Sequence, residues 1–259
     1  MPPRARFFAP EVHATGQELL LAGEEFHHLR HVLRLHVGDI VSLFDGAGRG
    51  FEAKLVGMDR SGAVLRVHRE ELPSPESFLR LHLAVGLAKG EKLDLICQKS
   101  TELGVVAIHP LATRLADRKL SGERAPGKLD RWRRVALEAC KQSGRTRLPE
   151  ILPPVDLETF LSRELPALRL LADPAGDSAS RVFARGRSRA GAPVVVAVGP
   201  EGGWHPAELE LFRRAEFDAF RLGPRILRAE TAAILAAGLL QFLSGDLADP
   251  PLVPPSAGL

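Results

Sequence analysis

Two glycine-bearing stretches hold the residues whose types and spacing are best suited to chemistry. The first, "VGPEGGW", spans Val198–Trp204, follows the apolar run "PVVVAV" and precedes "HPAELELF", which reads as a helix start. A glycine-rich turn between a strand and a helix commonly cradles phosphate. This one has the wrong spacing for that. A dinucleotide fingerprint needs GxGxxG and a P-loop needs GxxxxGKS/T, whereas the chain reads GxxGG with no Lys-Ser/Thr pair behind it. Pro200 also removes one backbone N–H that a phosphate would use. What remains is close backbone approach at Gly199, Gly202 and Gly203, with main-chain amides and carbonyls suited to a flat heterocycle. A tight strand-to-helix turn with Pro206 at the first helical position accounts for the same residues.

The second stretch is "LGPRILRAETAA", Leu222–Ala233. Gly223-Pro224 turns the chain after a strand, Arg225 and Arg228 flank two aliphatics, and Ala229-Glu230-Thr231 opens an apolar helix. Glu230 there can answer the helix dipole and pair with Arg228, or both can serve a site. Both stretches leave strands at their carboxyl ends, as does "ADP" at Ala172–Pro174. Ligands of parallel sheets bind beyond that edge.

The elements needed to position these loops are legible along the chain. From Phe78 onward strands alternate with helices: "FLRLHLAVGL", "VVAIHP", "ALRLLADP", "PVVVAV" and "FDAFRLG" are apolar strands. "EKLDLICQKSTELG" puts Leu93, Ile96, Cys97, Ser100 and Leu103 on one helical face, with Gly104 placed to end it. "GKLDRWRRVALEACKQSG" aligns Leu129, Trp132, Ala136, Cys140 and Ser143 in the same way. Further helices follow at "HPAELELFRRAE" and "AETAAILAAGLLQFL"; the last is apolar nearly all round and is expected to be buried. This order predicts an α/β domain with a largely parallel sheet covered on both faces. The first seventy residues differ. "RFFAP", "QELLLAG", "GDIVSLFDG", "GFEAKLVGM" and "GAVLRVHRE" read as short strands interrupted by one helix, "EEFHHLRHVLRL", which describes a small β-barrel or curled sheet. "DGAGRG" reads as a hairpin loop, and "ELPSPES" marks the boundary, so the expected domains are 1–72 and 78–246. The proline-rich segment 247–259 is expected to be a disordered tail.

Composition narrows the function classes. At 259 residues and 45% hydrophobic content the chain is long enough for a proper core. No apolar run reaches membrane-span length, and "MPPRARFFAP" has no apolar core of a secretory signal, so the expected location is the cytoplasm. Cys97 and Cys140 form no CxxC or Cys/His cluster and read as small buried thiols. His27 and His31 lie four apart, but no HExxH order or third ligand accompanies them, so no metal is expected. The net charge is only +3, yet Ala112–Arg147 holds eleven Lys/Arg against four Asp/Glu, and Arg181, Arg185, Arg187 and Arg189 crowd together. Such local excess suits a polyanionic partner or a solvated Arg-rich surface.

"VGPEGGW" followed by "LGPRILRAETAAI" resembles the paired C-terminal signature of the ribosomal RNA small subunit methyltransferase E family, 16S rRNA uridine N3-methyltransferases of the SPOUT superfamily. "RFF", "HHLRHVLRLHVGD", "KGEKLDLICQKSTELGV" and "EACKQSGR" agree with it, so the resemblance runs from about Arg6 to Leu243. It implies an N-terminal PUA-like RNA-binding β-barrel, a C-terminal SPOUT α/β domain with a deep trefoil knot, a homodimer, and S-adenosyl-L-methionine as methyl donor. The implied cofactor loops carry Leu171, Ala172 and Asp173; Val198, Gly199, Pro200, Glu201, Gly202 and Gly203; and Leu222, Gly223, Ile226, Leu227, Arg228, Thr231 and Ala232. Arg228 is the candidate for orienting the uracil, and Glu230 or Glu201 for taking its proton. The implied partner is 16S rRNA or the small ribosomal subunit. Candidate RNA-binding residues are Arg4, Arg6, His27, His28, Arg30 and Arg34 in the first domain, with Lys89, Lys92, Lys99, Arg145 and Arg147 extending the positive track. A noncatalytic ribosome-assembly factor, or a SPOUT enzyme acting on another RNA, fits the same composition.

Overall fold

The computed structural model describes residues 4–71, 76–88, 91–116, 125–184 and 192–248. Lys89, Arg185, Arg187, Arg189 and the tail from 249 on lie outside these described residues. The chain divides into two compact units, Met1–Glu76 with Leu137–Leu148, and Ser77–Ala136 with Pro149–Leu259.

In the first unit, β1 (Arg6–Phe8), β2 (Glu18–Leu21), β3 (Ile40–Phe44), β4 (Gly50–Met58) and β5 (Ala63–Glu70) form one sheet in the order β1-β3-β4-β5-β2. β1 runs parallel to β3 and the remaining pairs are antiparallel. The β4–β5 ladder slips at Glu52/Ala53 and at Leu55/Gly57, and such bulges bend a strand and increase its twist. One core within this unit buries Phe7, Leu21, Val41, Leu43, Phe51, Leu55, Leu65 and Val67. The hairpin loop after β3 is held by Asp45, whose Oδ1 accepts the N–H groups of Ala47, Gly48 and Arg49.

The expected helix over Glu24–Leu35 is shorter and of two kinds. An α-turn, α1 (Gly23–His27), gives way to a π-turn over His28–Val32, where Leu33 N–H reaches back to His28 C=O at 3.0 Å. The wider turn breaks the 3.6-residue spacing, so only Leu29 stays buried while Val32 and Leu33 swing out to 62% and 40% exposure. Arg34 then takes a left-handed φ of 53° and ends the element.

The second unit has the expected α/β form. β6 (Leu81–Gly86), β7 (Ala107–Ala112), β8 (Glu150–Ile151), β10 (Leu168–Ser178), β11 (Val194–Val198) and β12 (Asp218–Arg221) line up as β12-β10-β11-β6-β7-β8, with β9 (Val155–Asp156) also on β7. Every pairing is parallel. Successive residues of β11 point to opposite faces. Val194, Val196 and Val198 enter a core shared with α2 (Lys92–Glu102), α3 (Ala125–Ser143) and α7 (Ala229–Ser244). Val195 and Ala197 enter the other, with Phe160 of α4 (Leu157–Leu161) and Phe212 of α6 (Pro206–Arg214). Burial on both sides is why these strands read as continuous apolar runs. Both cysteines are buried thiols, and Gly104 (φ 77°) follows the end of α2. The short β8, β9, α4 and α5 (Ala179–Ala184) were not anticipated.

One expectation fails at α7. Ala233, Ala236, Ala237 and Leu240 are buried, but Leu235 and Phe242 remain 45% and 46% exposed. The sheet and α2 cover one side of this helix; its apolar outer side is left bare among the described residues.

Candidate functional site

β12, β10 and β11 are adjacent and parallel, so their carboxyl ends share one edge of the sheet. The segments behind them enclose a cavity of about 340 Å³. Ala172, Asp173 and Pro174 form its first wall. Val198, Gly199, Pro200, Glu201, Gly203 and Trp204 form the second. Leu222, Gly223, Arg225, Ile226, Leu227 and Arg228 form the third, closed by Ala229 and Ala232 of α7.

Each wall is fixed by local chemistry. The β10–β12 ladder breaks after Ala172 and resumes at Asp177, leaving four residues outside the pairing, of which Asp173 and Pro174 line the cavity. Asp173 Oδ1 accepts the Ala175 N–H at 2.6 Å and shapes that excursion. The second wall ends in a capping box: the His205 side chain accepts from Ala207 N–H at 3.2 Å, and Glu208 Oε2 accepts from His205 N–H at 2.9 Å. Glu208 is buried, and its other oxygen accepts the Arg114 N–H at 2.8 Å. Trp204 packs edge-on against Phe212, with ring centroids 4.7 Å apart. Pro200 lies so close to the end of β6 that a Cβ on Gly86 would sit 2.4 Å from its Cδ. In the third wall Gly223 has a φ of 93°, and a Cβ there would meet nothing within 4 Å. Arg228 is the N-cap residue of α7; its carbonyl accepts Ala232 N–H at 2.8 Å while its side chain stays exposed.

Most of the residues expected around a cofactor therefore meet in one place. Three do not line it: Leu171 is buried in the core on the α4–α6 side, Gly202 faces Leu115 with a notional Cβ contact of 3.1 Å, and Thr231 is exposed on α7. Pro174, Arg225 and Ala229, which fall within the expected loops Leu171–Pro174 and Leu222–Ala232 without being singled out, also line it, and sequence reasoning missed Trp204. Trp204 stands one residue past the expected loop Val198–Gly203, and an aromatic directly after a glycine pair was the available cue. Glu230 lies just off the cavity, with 13% of its side chain exposed.

The basic residues are variously engaged. In the first unit Arg4 pairs with Glu52, and Arg6 donates to Arg145 C=O at 3.0 Å while burial pushes its guanidinium pKa down. Arg145 is itself buried against Glu76 at 2.9 Å, which leaves it no exposed face. The Arg147 N–H donates to the same carboxylate. His27 and His31 lie with ring centroids 4.8 Å apart and planes tilted by 39°, His28 meets Phe7 edge-on at 6.1 Å, and Arg30 lies over Phe26. In the second unit Lys99 pairs with Glu102, and Lys92 with Glu201. No cluster of three or more metal-ligating side chains occurs among the described residues.

Comparison with known proteins extends this picture. An RNA methyltransferase domain family matches residues 75–241, and an RNA methyltransferase PUA domain family matches residues 21–67. The chain is 34% identical to the ribosomal RNA small subunit methyltransferase E of a Synechocystis strain, over 91% of this chain and 76% of that one. It is 31% identical to the Bacillus subtilis protein of the same name, over 87% and 92% of the two chains. The chain belongs to the ribosomal RNA small subunit methyltransferase E family. A crystal structure of a family member from Neisseria gonorrhoeae, bound to S-adenosyl methionine, superposes with a TM-score of 0.87 at 34% identity, covering 95% of this chain and 100% of that one. The methyltransferase match holds the whole cavity, and the PUA match takes in β3, β4 and the first part of β5 in the sheet of the first unit.

Proposed function

We propose that the protein transfers a methyl group from S-adenosyl-L-methionine to N3 of a uridine in 16S ribosomal RNA. The observation that carries this reading is the shared cavity: Gly203 of the second loop and Leu227 of the third face the same space, in a chain of this family. The walls suit the cofactor. Val198, Leu222, Ile226, Leu227 and Trp204 offer apolar surface for an adenine and a thioether chain, and the loops bring main-chain amides and carbonyls alongside. The lining carries both signs of charge, with Asp173 and Glu201 beside Arg225 and Arg228, which suits a ligand that carries both a cationic centre and a carboxylate.

When bound, the cofactor supplies a methyl group on positively charged sulfur, open to in-line attack. The residues of this chain must align the acceptor, remove its proton and stabilise the resulting charge. Arg228 projects from the N-terminus of α7 at the cavity wall, where its guanidinium can hold a uracil oxygen as negative charge develops. Glu201, on the wall, and Glu230, beside it, are the carboxylates placed to accept the N3 proton. The N3–methyl bond forms as the carbon–sulfur bond breaks.

The domain roles follow the same reading. Residues 1–72 act as the PUA-like RNA-binding domain and 78–246 as a SPOUT domain with a deep trefoil knot. The bare side of α7, with Leu235 and Phe242, suits burial against a second copy in a homodimer. No helix among the described residues is long and apolar enough to cross a membrane, in keeping with a cytoplasmic enzyme. The test is incubation of unmodified small subunits with the protein and labelled S-adenosylmethionine, then mass mapping of the nucleosides. Label on N3 of one 16S uridine is expected; label elsewhere, or cofactor binding without transfer, would overturn the reading.

A further inference from the structure

Lys92 stands in an unfavourable place for a cation. It is the first residue of α2, where the aligned peptide dipoles disfavour positive charge. Its partners explain the position. Lys92 Nζ donates to Glu201 Oε1 at 2.7 Å and lies 3.9 Å from Glu230 Oε2. These three side chains come from the start of α2, the loop after β11 and the first turn of α7, three separate parts of the chain. They are only 32%, 34% and 13% exposed, so water screens them incompletely. Glu230 Oε2 is buried and accepts no hydrogen bond, so the ammonium is the charge that answers it.

We infer that Lys92 is a positioning residue that pins Glu201 onto the cofactor wall by gathering it and Glu230 around one ammonium. The geometry gives the second loop two consecutive ties: Pro200 against Gly86 at the end of β6, and Glu201 against the start of α2. Without the ammonium, the two carboxylates face each other with like charge, and Glu201 leaves the wall. The sequence places Lys92 among candidate RNA contacts; this geometry directs it inward instead. The inference rests on the cofactor assignment proposed above, and its test separates the two.

The measurement is calorimetry with S-adenosylmethionine on the full chain, without RNA. Lys92→Met is expected to weaken binding about tenfold, and Lys92→Arg, which keeps the cation, to restore it to within about threefold. Adding Glu201→Gln to Lys92→Met should cost little more, because the pair acts as one unit. In the cofactor-free protein, hydrogen exchange at the Glu201–Trp204 amides should quicken about tenfold in Lys92→Met and not in Lys92→Arg. RNA affinity and its salt slope should stay as in the wild type. Unchanged cofactor affinity and unchanged exchange in Lys92→Met, with a salt slope reduced by about one phosphate contact, would make Lys92 an RNA contact and overturn the inference. If Lys92→Met does not fold, Glu201→Gln alone must reproduce the weakened binding and faster exchange. A wild type that binds no S-adenosylmethionine sinks the functional reading, while the exchange comparison still decides whether Lys92 pins the loop.

Discussion

Acid should weaken the second unit through one histidine. His109, on β7, is buried with its ring edge-on to Phe160, centroids 5.4 Å apart. Its Nε2 lies 3.3 Å from Nδ1 of His82 on β6, and its own Nδ1 is buried with no partner. At that contact one nitrogen can donate and the other must accept, so the two rings cannot both be protonated without facing N–H to N–H. Burial, then His82 and Arg163, push the His109 pKa from 6.5 down to about 4. Burial also lowers that of His82. Between these two pH values the unfolded chain binds a proton that the folded chain refuses, so stability rises with pH. The contribution is complete above pH 6.5 and is lost as the pH falls toward 4. A span of 6.5 − 4 = 2.5 units, at 1.36 kcal/mol each, corresponds to about 3 kcal/mol. The perturbation is His109→Gln, which keeps a polar side chain without the titration. Urea unfolding from pH 7.5 to 4, followed by circular dichroism, should show the wild type losing about 3 kcal/mol more than the variant, with the gap opening below pH 6.5. The ring proton of His109 should titrate near 4 in NMR spectra. Parallel stability curves, or a titration near 6.5, would refute the reasoning.

Other outcomes follow from the cavity walls. Gly86→Ala puts a Cβ 2.6 Å from the Pro200 backbone nitrogen, so the second loop must move; cofactor affinity by calorimetry should fall at least about tenfold, with the circular dichroism spectrum unchanged. Glu208→Ala removes the acceptor for two backbone N–H groups, those of His205 and Arg114, and should cost about 2 kcal/mol in urea unfolding. Arg228→Ala should lower turnover about a hundredfold while changing cofactor affinity little; equal losses in both would contradict its role at the acceptor. Raising salt should weaken RNA binding steeply, and filter binding across a salt series checks this.

What could be read from the residues depended on how local the cause was. The strands of the second unit were legible because burial on both faces makes an unbroken apolar run, as in Val194–Val198. The two motif loops were legible because glycine and proline mark strand exits, and the walls of the cavity follow them closely. The π-turn at His28–Val32 was not, because its residues keep helical types while the hydrogen bonds shift by one position. The bare side of α7 was hidden because composition cannot say how many sides of an apolar helix one chain covers. The contacts of Lys92 were hidden for a related reason: its partners Glu201 and Glu230 are distant in sequence, and only the fold brings them to it.

The four-residue excursion in β10 bears on how the pocket was built. It departs from the ladder at Ala172 and rejoins it at Asp177 opposite the same residue, Phe220, while Arg221 donates to Gly176 C=O at 3.1 Å. A segment hung at both ends from one neighbour inherits the stiffness of the sheet. It is therefore already shaped before anything arrives, and little ordering entropy is left to oppose capture. Because the ladder picks up again at Phe220, the strand beyond is insulated from what happens within the excursion, and what this side accepts can be altered at Asp173 and Pro174 without disturbing the sheet.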